Sequence, residues 1–275
     1  MRPPEMPYFD LILARIAAGD AALTAALGRH VHWGYWPEPP DPAAPDYPGA
    51  AEAMTRRICD AARVGPGMRV LDVGCGFGGT VASIDARFTG MDLVGVNIDP
   101  RQLDRARATV PASPGNAVRF IEADATRLPF PSGAFDAVVA VECIFHFPGR
   151  IAFLKEVRRV LTPGGRLAIS DFVPHGPTLP LLVAAVPFFA PAVARVYGRG
   201  NTLCTPGLYR LMARLAGLRV VHDEDVTRHT LPTYPALTAL QAHFGAHGPA
   251  FARATRNMEL LARSGALRYR VLGFE

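Results

Sequence analysis

The run Val70-Leu71-Asp72-Val73-Gly74-Cys75-Gly76-Phe77-Gly78-Gly79-Thr80 constrains this chain more than any other stretch. Met68 to Val73 is a short apolar run of buried-strand type, and the glycines break it before a helix-compatible segment that starts at Thr80. Strand, tight turn and helix N-terminus are therefore expected in succession. Glycine tolerates positive φ and lets a ligand lie on the backbone, while the free N–H groups of a helix start favour electron-rich ligand atoms. The run thus predicts a binding turn. Gly74, Gly76 and Gly79 also satisfy the G-x-G-x-x-G spacing of dinucleotide sites. Asp72 argues for a different ligand, because a carboxylate beside the turn repels a pyrophosphate and attracts an ammonium group.

The 275 residues are 49% apolar and 19% charged, enough to bury a sizeable core in an α/β unit that carries insertions. The net charge of +5 is spread out without a basic run, so no nucleic-acid partner is expected. Cys59, Cys75, Cys143 and Cys204 form neither a C-x-x-C pair nor a zinc spacing. They read as reduced thiols of a cytoplasmic protein, and no metal centre is expected. The opening Met1-Arg2-Pro3-Pro4-Glu5 leads into no long apolar h-region of a secretion signal. The longest apolar stretch, Leu179 to Ala194, is interrupted by Pro180, Pro187 and Pro191 and is shorter than the about 20 residues of a membrane span. It is expected to be a buried or interfacial cap segment rather than a span.

Phe9 to Leu27 shows helical spacing, with Leu11, Ile12, Ile16, Ala17, Leu23 and Leu27 roughly on one face, and a further helix is expected from about Gly49 to Ala62. Between them lie His30-Val31-His32-Trp33-Gly34-Tyr35-Trp36 and the proline-rich loop Pro37 to Pro48. So many rings in so short a segment mean either an aromatic plug on the core edge or a cover over a ligand. No partner cluster makes His30 and His32 metal ligands. After the glycine turn, Leu93 to Asp99 reads as the second strand, Phe120 to Glu122 as the end of the third, Phe135 to Val141 as the fourth, and Leu218 to Asp223 and Leu267 to Phe274 as the last two.

Leu71-Asp72-Val73-Gly74-Cys75-Gly76-Phe77-Gly78 resembles motif I of the class I S-adenosylmethionine-dependent methyltransferases. Phe135-Asp136-Ala137-Val138 and Leu161-Thr162-Pro163-Gly164-Gly165 are similar to further motifs of that superfamily, in the same order. The resemblance covers about Val70 to Phe172 and implies a Rossmann-like α/β fold with a seven-stranded, mostly parallel sheet. An N-terminal helical and aromatic cap (1–62) and a core (63–275) with cap insertions at about 173–205 and 226–267 complete the expected architecture. It implies S-adenosyl-L-methionine as cofactor, S-adenosyl-L-homocysteine as its product, and cofactor contacts from Asp72, Gly74, Gly76, Asn97, Ile98, Gln102, Asp124, Ala125 and Glu142. The ribose falls to Asn97 with Gln102, or else to Asp99, whose other role is capping the helix before Pro100. The H-x-G-Y-W segment His32 to Trp36 is similar to one preceding the core in small-molecule members, which implies that Tyr35 and Trp36 fold over the methyl donor.

Chemistry is expected at the carboxyl ends of the strands. Glu142-Cys143-Ile144-Phe145-His146-Phe147-Pro148-Gly149-Arg150 is similar to a segment of natural-product sugar O-methyltransferases, which implies His146 and Asp171 as a catalytic pair, with Phe145 replacing a histidine. Glu142 is the further catalytic candidate. Phe188, Phe189, Tyr197, Tyr234 and Phe244 in the insertions, together with Phe145 and His146, predict a hydrophobic acceptor. The expected activity is O-methylation of a hydrophobic small molecule in bacterial specialised metabolism. From Arg195 onward, 11 arginines face five acidic residues. That balance keeps open a prenyl-diphosphate C-methyltransferase, with magnesium at the diphosphate, and the fold also keeps open a cofactor-retaining cyclase. The oligomer considered is a homodimer.

Overall fold

A computed structural model describes residues 6–40 and 45–275, so the expectations for Met1–Glu5 and for the centre of the proline-rich loop, 41–44, lie outside the described residues. The chain begins with α1 (Pro7–Ala17), α2 (Ala21–Leu27) and α3 (Tyr47–Ala61). The single helix expected over Phe9 to Leu27 is divided. Gly19 takes a φ of +77°, and the Asp20 carboxylate accepts a hydrogen bond from Leu23 N, which caps a new helix start.

The core then alternates: β1 (Arg69–Val73), α4 (Gly79–Arg87), β2 (Asp92–Asn97), α5 (Pro100–Thr109), β3 (Ala117–Glu122), β4 (Phe135–Val141), α6 (Arg150–Val160) and β5 (Leu161–Pro174). There follow α7 (Leu179–Tyr197), α8 (Pro206–Leu215), β6 (Val220–Asp225), the short α9 (Thr227–Thr230), α10 (Thr233–Ala239), α11 (Gly248–Arg263) and β7 (Leu267–Phe274). The strands form one seven-stranded sheet of order β3-β2-β1-β4-β5-β7-β6. Only β7 runs antiparallel to its neighbours.

A sheet with helices on both faces buries both faces, which is why its strands read as near-continuous apolar runs. Val70 and Val139 pack into the layer that contains Ile58, whereas Leu71 and Val138 pack into the one that contains Phe153. Strand order reverses between β1 and β4, the place where open α/β sheets hold ligands at the carboxyl ends of their strands. The residues leaving those two strands are Gly74 and Glu142.

The connections after β5 and β6 fold into helices, and α7 packs against α11 and α1. The proline-punctuated stretch runs as one helix to Tyr197, longer than its apolar part suggested. Pro180 sits in its first turn, where the missing N–H has no intrahelical partner to lose. With the turn before it, Gly176–Tyr197 is long and apolar enough to cross a membrane by length and composition, which alone is weak grounds for a span. It is not a buried segment: one face walls a cavity and the other is exposed. The four cysteines are free thiols.

Candidate active site

Gly74 takes a φ of +75°, and a Cβ there would lie 2.7 Å from Cys143 Cβ, so both conformation and space require glycine. Gly76, at φ +55°, has no atom within 3.9 Å of where its Cβ would be, which leaves the backbone open to a ligand. These two glycines form part of a cavity of about 350 Å³ at the strand-order reversal. Asp72, Asn97, Ile98, Gln102, Asp124, Ala125 and Glu142 line it too, each at or just beyond a strand end or helix start. Asp72 is buried, its Oδ2 has no hydrogen-bond partner, and burial pushes its carboxyl up to about 7. An unpartnered buried carboxylate beside an open glycine turn is built for a cation.

Asn97 donates from Nδ2 to Gln102 Oε1 at 3.1 Å, while its Oδ1 accepts from Asp99 N at 3.1 Å. Asp99 does not line the cavity; its carboxylate caps α5 at Arg101 N and pairs with the Arg101 guanidinium at 2.7 Å. Burial works against that charge, but the Arg101 bonds hold the carboxyl below its ordinary range. Asp124 Oδ1 accepts from Thr126 N and Oγ1, which fixes the turn after β3.

A second cavity, of about 290 Å³, lies under the cap helices. Leu182, Val186, Phe189, Val193 and Tyr197 recur along the inner face of α7, and Phe145, Trp33 and Phe172 face them. The two cavities share Tyr8, Val31, Glu142 and His146. Glu142 stands at φ +50°, and its Oε2 accepts from Trp33 N at 2.9 Å and Tyr269 Oη at 2.5 Å. Burial pushes its carboxyl up to about 8, with Asp171 adding to the rise. His146 Nδ1 lies 3.2 Å from the Arg199 carbonyl oxygen. A carbonyl only accepts, so the contact assigns the proton to Nδ1 and leaves the Nε2 lone pair available. Burial lowers the His146 pKa below 6.5, although the Arg199 contact works the other way, so the ring is neutral at pH 7.

Several expected site residues are elsewhere. Tyr35 and Trp36 do not cover the cavity. The Tyr35 ring stacks on His229 at 4.6 Å under the Arg57 guanidinium, and the Trp36 indole donates to Thr233 Oγ1 at 2.9 Å. Asp171 lines neither cavity: it is wholly buried in an ion pair with Arg150 at 2.9 Å and accepts from Tyr209 Oη. Phe188 points to solvent while Phe189 lines the second cavity, and Tyr234 is buried behind Trp33, with ring centroids 5.6 Å apart. Conversely, Tyr8, His30, Val31 and His32 line the first cavity. His30 Nε2 meets Glu52 at 2.9 Å, and burial beside His30 holds His32 down to about 3. The H-x-H pair was visible in sequence, but it serves as a buried hydrogen-bonded wall. Among the described residues no group of His, Cys, Asp and Glu is arranged to hold a metal ion.

Residues 71–169 match a family described as a methyltransferase domain. Over 219 residues the chain is 38% identical to Methyltransferase GfsG of Streptomyces halstedii, covering 78% of this chain and 75% of that protein. This chain belongs to the class I S-adenosylmethionine-dependent methyltransferases. The methyltransferase is also 32% identical over 211 residues to 27-O-demethylrifamycin SV methyltransferase of Amycolatopsis mediterranei, covering 75% of this chain and 73% of that one. Its fold matches a solved mycolic acid cyclopropane synthase complexed with SAH and CTAB, with a TM-score of 0.80, 18% identity and coverage of 98% and 99% of the two chains.

The cofactor of the methyltransferase is S-adenosyl-L-methionine, and the first cavity suits it. The unpartnered Asp72 carboxylate fits the ammonium of the methionine moiety, and the open Gly74–Gly76 turn admits the chain next to it. Asp72→Asn is expected to weaken cofactor binding about 10–100-fold, since a charged hydrogen-bond partner contributes about 1.5–3 kcal/mol. The cation favours the ionised Asp72, so wild-type affinity should fall as pH drops below about 7. Calorimetric titration of both proteins across pH checks this; an Asp72→Asn affinity equal to wild type would remove Asp72 from the site.

Proposed function

We propose that the enzyme methylates an oxygen of a hydrophobic small molecule, with His146 as general base. The observation that carries this reading is the meeting of the two cavities at Glu142 and His146. In this reading Asn97 and Gln102 hold the ribose, Asp124 and Ala125 the adenine edge, and Asp72 the ammonium. When bound, S-adenosyl-L-methionine supplies a methyl carbon already made electrophilic by the sulfonium. The protein has to align the acceptor with that carbon and remove the acceptor's proton. An alcohol is too weak an acid to ionise first, so its proton leaves as the new bond forms, and the neutral Nε2 of His146 accepts it. The Arg199 carbonyl stabilises the resulting imidazolium through Nδ1–H. Residues 6–40 and 45–62 and the insertions 173–205 and 226–267 form the acceptor cap, whose apolar walls exclude water.

Arg199 is the one basic side chain other than His146 among the described residues lining the acceptor cavity. A diphosphate buried there would meet a single guanidinium from the protein, too little counter-charge without a metal ion, which favours a neutral acceptor over a prenyl diphosphate. Glu142→Gln separates these readings. Glutamine can still accept from Trp33 N and Tyr269 Oη, so O-methylation should persist within about tenfold, whereas a C-methylation that uses Glu142 to take a proton should lose about 10²-fold or more. The acceptor class itself is tested with a panel of lipophilic alcohols and phenols set against polar amines. Label transfer to the first group is expected; efficient methylation of glycine would contradict the hydrophobic reading.

A further inference from the structure

The outer face of α7 is apolar where a surface helix is normally polar. Its exposed positions Leu181, Ala184, Phe188 and Pro191 recur at helical spacing, and the stripe meets no polar side chain before Arg195. Leu181 is 72% exposed and Phe188 81%. The opposite face already walls the acceptor cavity. A helix apolar on both faces, with one of them uncovered, calls for an apolar partner.

Charge selects the partner. From Phe172 to Asn201, the stretch that contains α7, the chain has no acidic residue, and it carries Arg195 on α7 and Arg199 just beyond its end. Beside α7, the exposed stripe of α11 carries Arg253, Arg256 and Leu260. Among the described residues Arg195, Arg199, Arg253 and Arg256 pair with no carboxylate. A second copy of the chain on this face would set guanidinium groups against guanidinium groups. A bilayer with anionic headgroups offers hydrocarbon to the stripe and phosphate to the arginines.

We propose that α7 docks this enzyme on an anionic lipid surface, lying in the interface plane with Leu181 and Phe188 among the acyl chains. The acceptor cavity then sits on the protein side of the docked helix, where a lipid-dissolved molecule reaches it with little exposure to water. The docking does not depend on which acceptor atom is methylated.

Flotation of the purified full chain with vesicles tests this, using phosphatidylcholine alone and with about one-third phosphatidylglycerol. The chain should float with the anionic vesicles, stay behind with the neutral ones, and be released at about 1 M salt, where charges are screened within about 3 Å. A chain carrying Leu181→Asp and Phe188→Asp should lose binding at least about tenfold. Its thermal midpoint and cofactor affinity should not move, because neither side chain is packed. Binding of that variant equal to wild type, or no wild-type binding to either vesicle, overturns the proposal. So does a wild-type dimer that ignores vesicles and that the two substitutions dissociate; the stripe then covers a second copy.

Discussion

His146→Ala should lower turnover ~10²-fold or more with a far smaller change in cofactor affinity, because the variant removes the proton acceptor while the ring is only one wall of the first cavity. The wild-type pH profile carries the same information. Neutral imidazole is the active form, so kcat should be flat above the His146 pKa and fall as pH drops through it, and burial places that fall below the ordinary 6.5. The variant should lose this acid limb. Wild-type turnover in His146→Ala would remove the residue from the chemistry. A parallel loss in cofactor affinity would make it a wall of the cavity rather than a base.

Asp171→Ala should leave turnover per folded molecule unchanged and cost about 3–5 kcal/mol of stability. The substitution strands the Arg150 guanidinium and the Tyr209 hydroxyl in a buried site with no carboxylate to meet them. For a chain of this size that is a fall of roughly 6–20 °C in the thermal midpoint. Calorimetric melting and active-site-normalised turnover, measured on one preparation well below the midpoint, separate the two roles. A catalytic Asp171 would show the reverse pattern, an unchanged midpoint and a large loss of turnover.

Strand parity explains why Asp171 looked catalytic. Successive side chains of β5 point to opposite faces. Ser170 bonds Glu142 N and Tyr269 Oη, and Phe172 lines the second cavity, so Asp171 between them must face the other layer. The lining of the first cavity is legible in the sequence because its signals are local. A strand, a turn and a helix start fix Asp72, Gly74 and Gly76 within a few residues, and Asn97, Asp124 and Glu142 lie at or just beyond equivalent strand ends. The second cavity depends on tertiary packing. In α7 every residue near Phe188 and Phe189 is apolar, so no polar stripe marked the inner face and the register could not be read. The segment His30 to Trp36 does both kinds of work that its rings suggested: it presents His30, Val31 and His32 to the first cavity and packs Tyr35 and Trp36 against α9 and α10.

The most direct test of the central claim supplies the enzyme with S-adenosyl-L-methionine bearing a trideuteriomethyl group, together with a lipophilic extract, and follows products by mass spectrometry and carbon NMR. The expected result is a new hydrophobic product that retains the whole labelled methyl group on oxygen, formed with one equivalent of S-adenosyl-L-homocysteine. Label on carbon, or a product formed without label and without consumption of the cofactor, would contradict it.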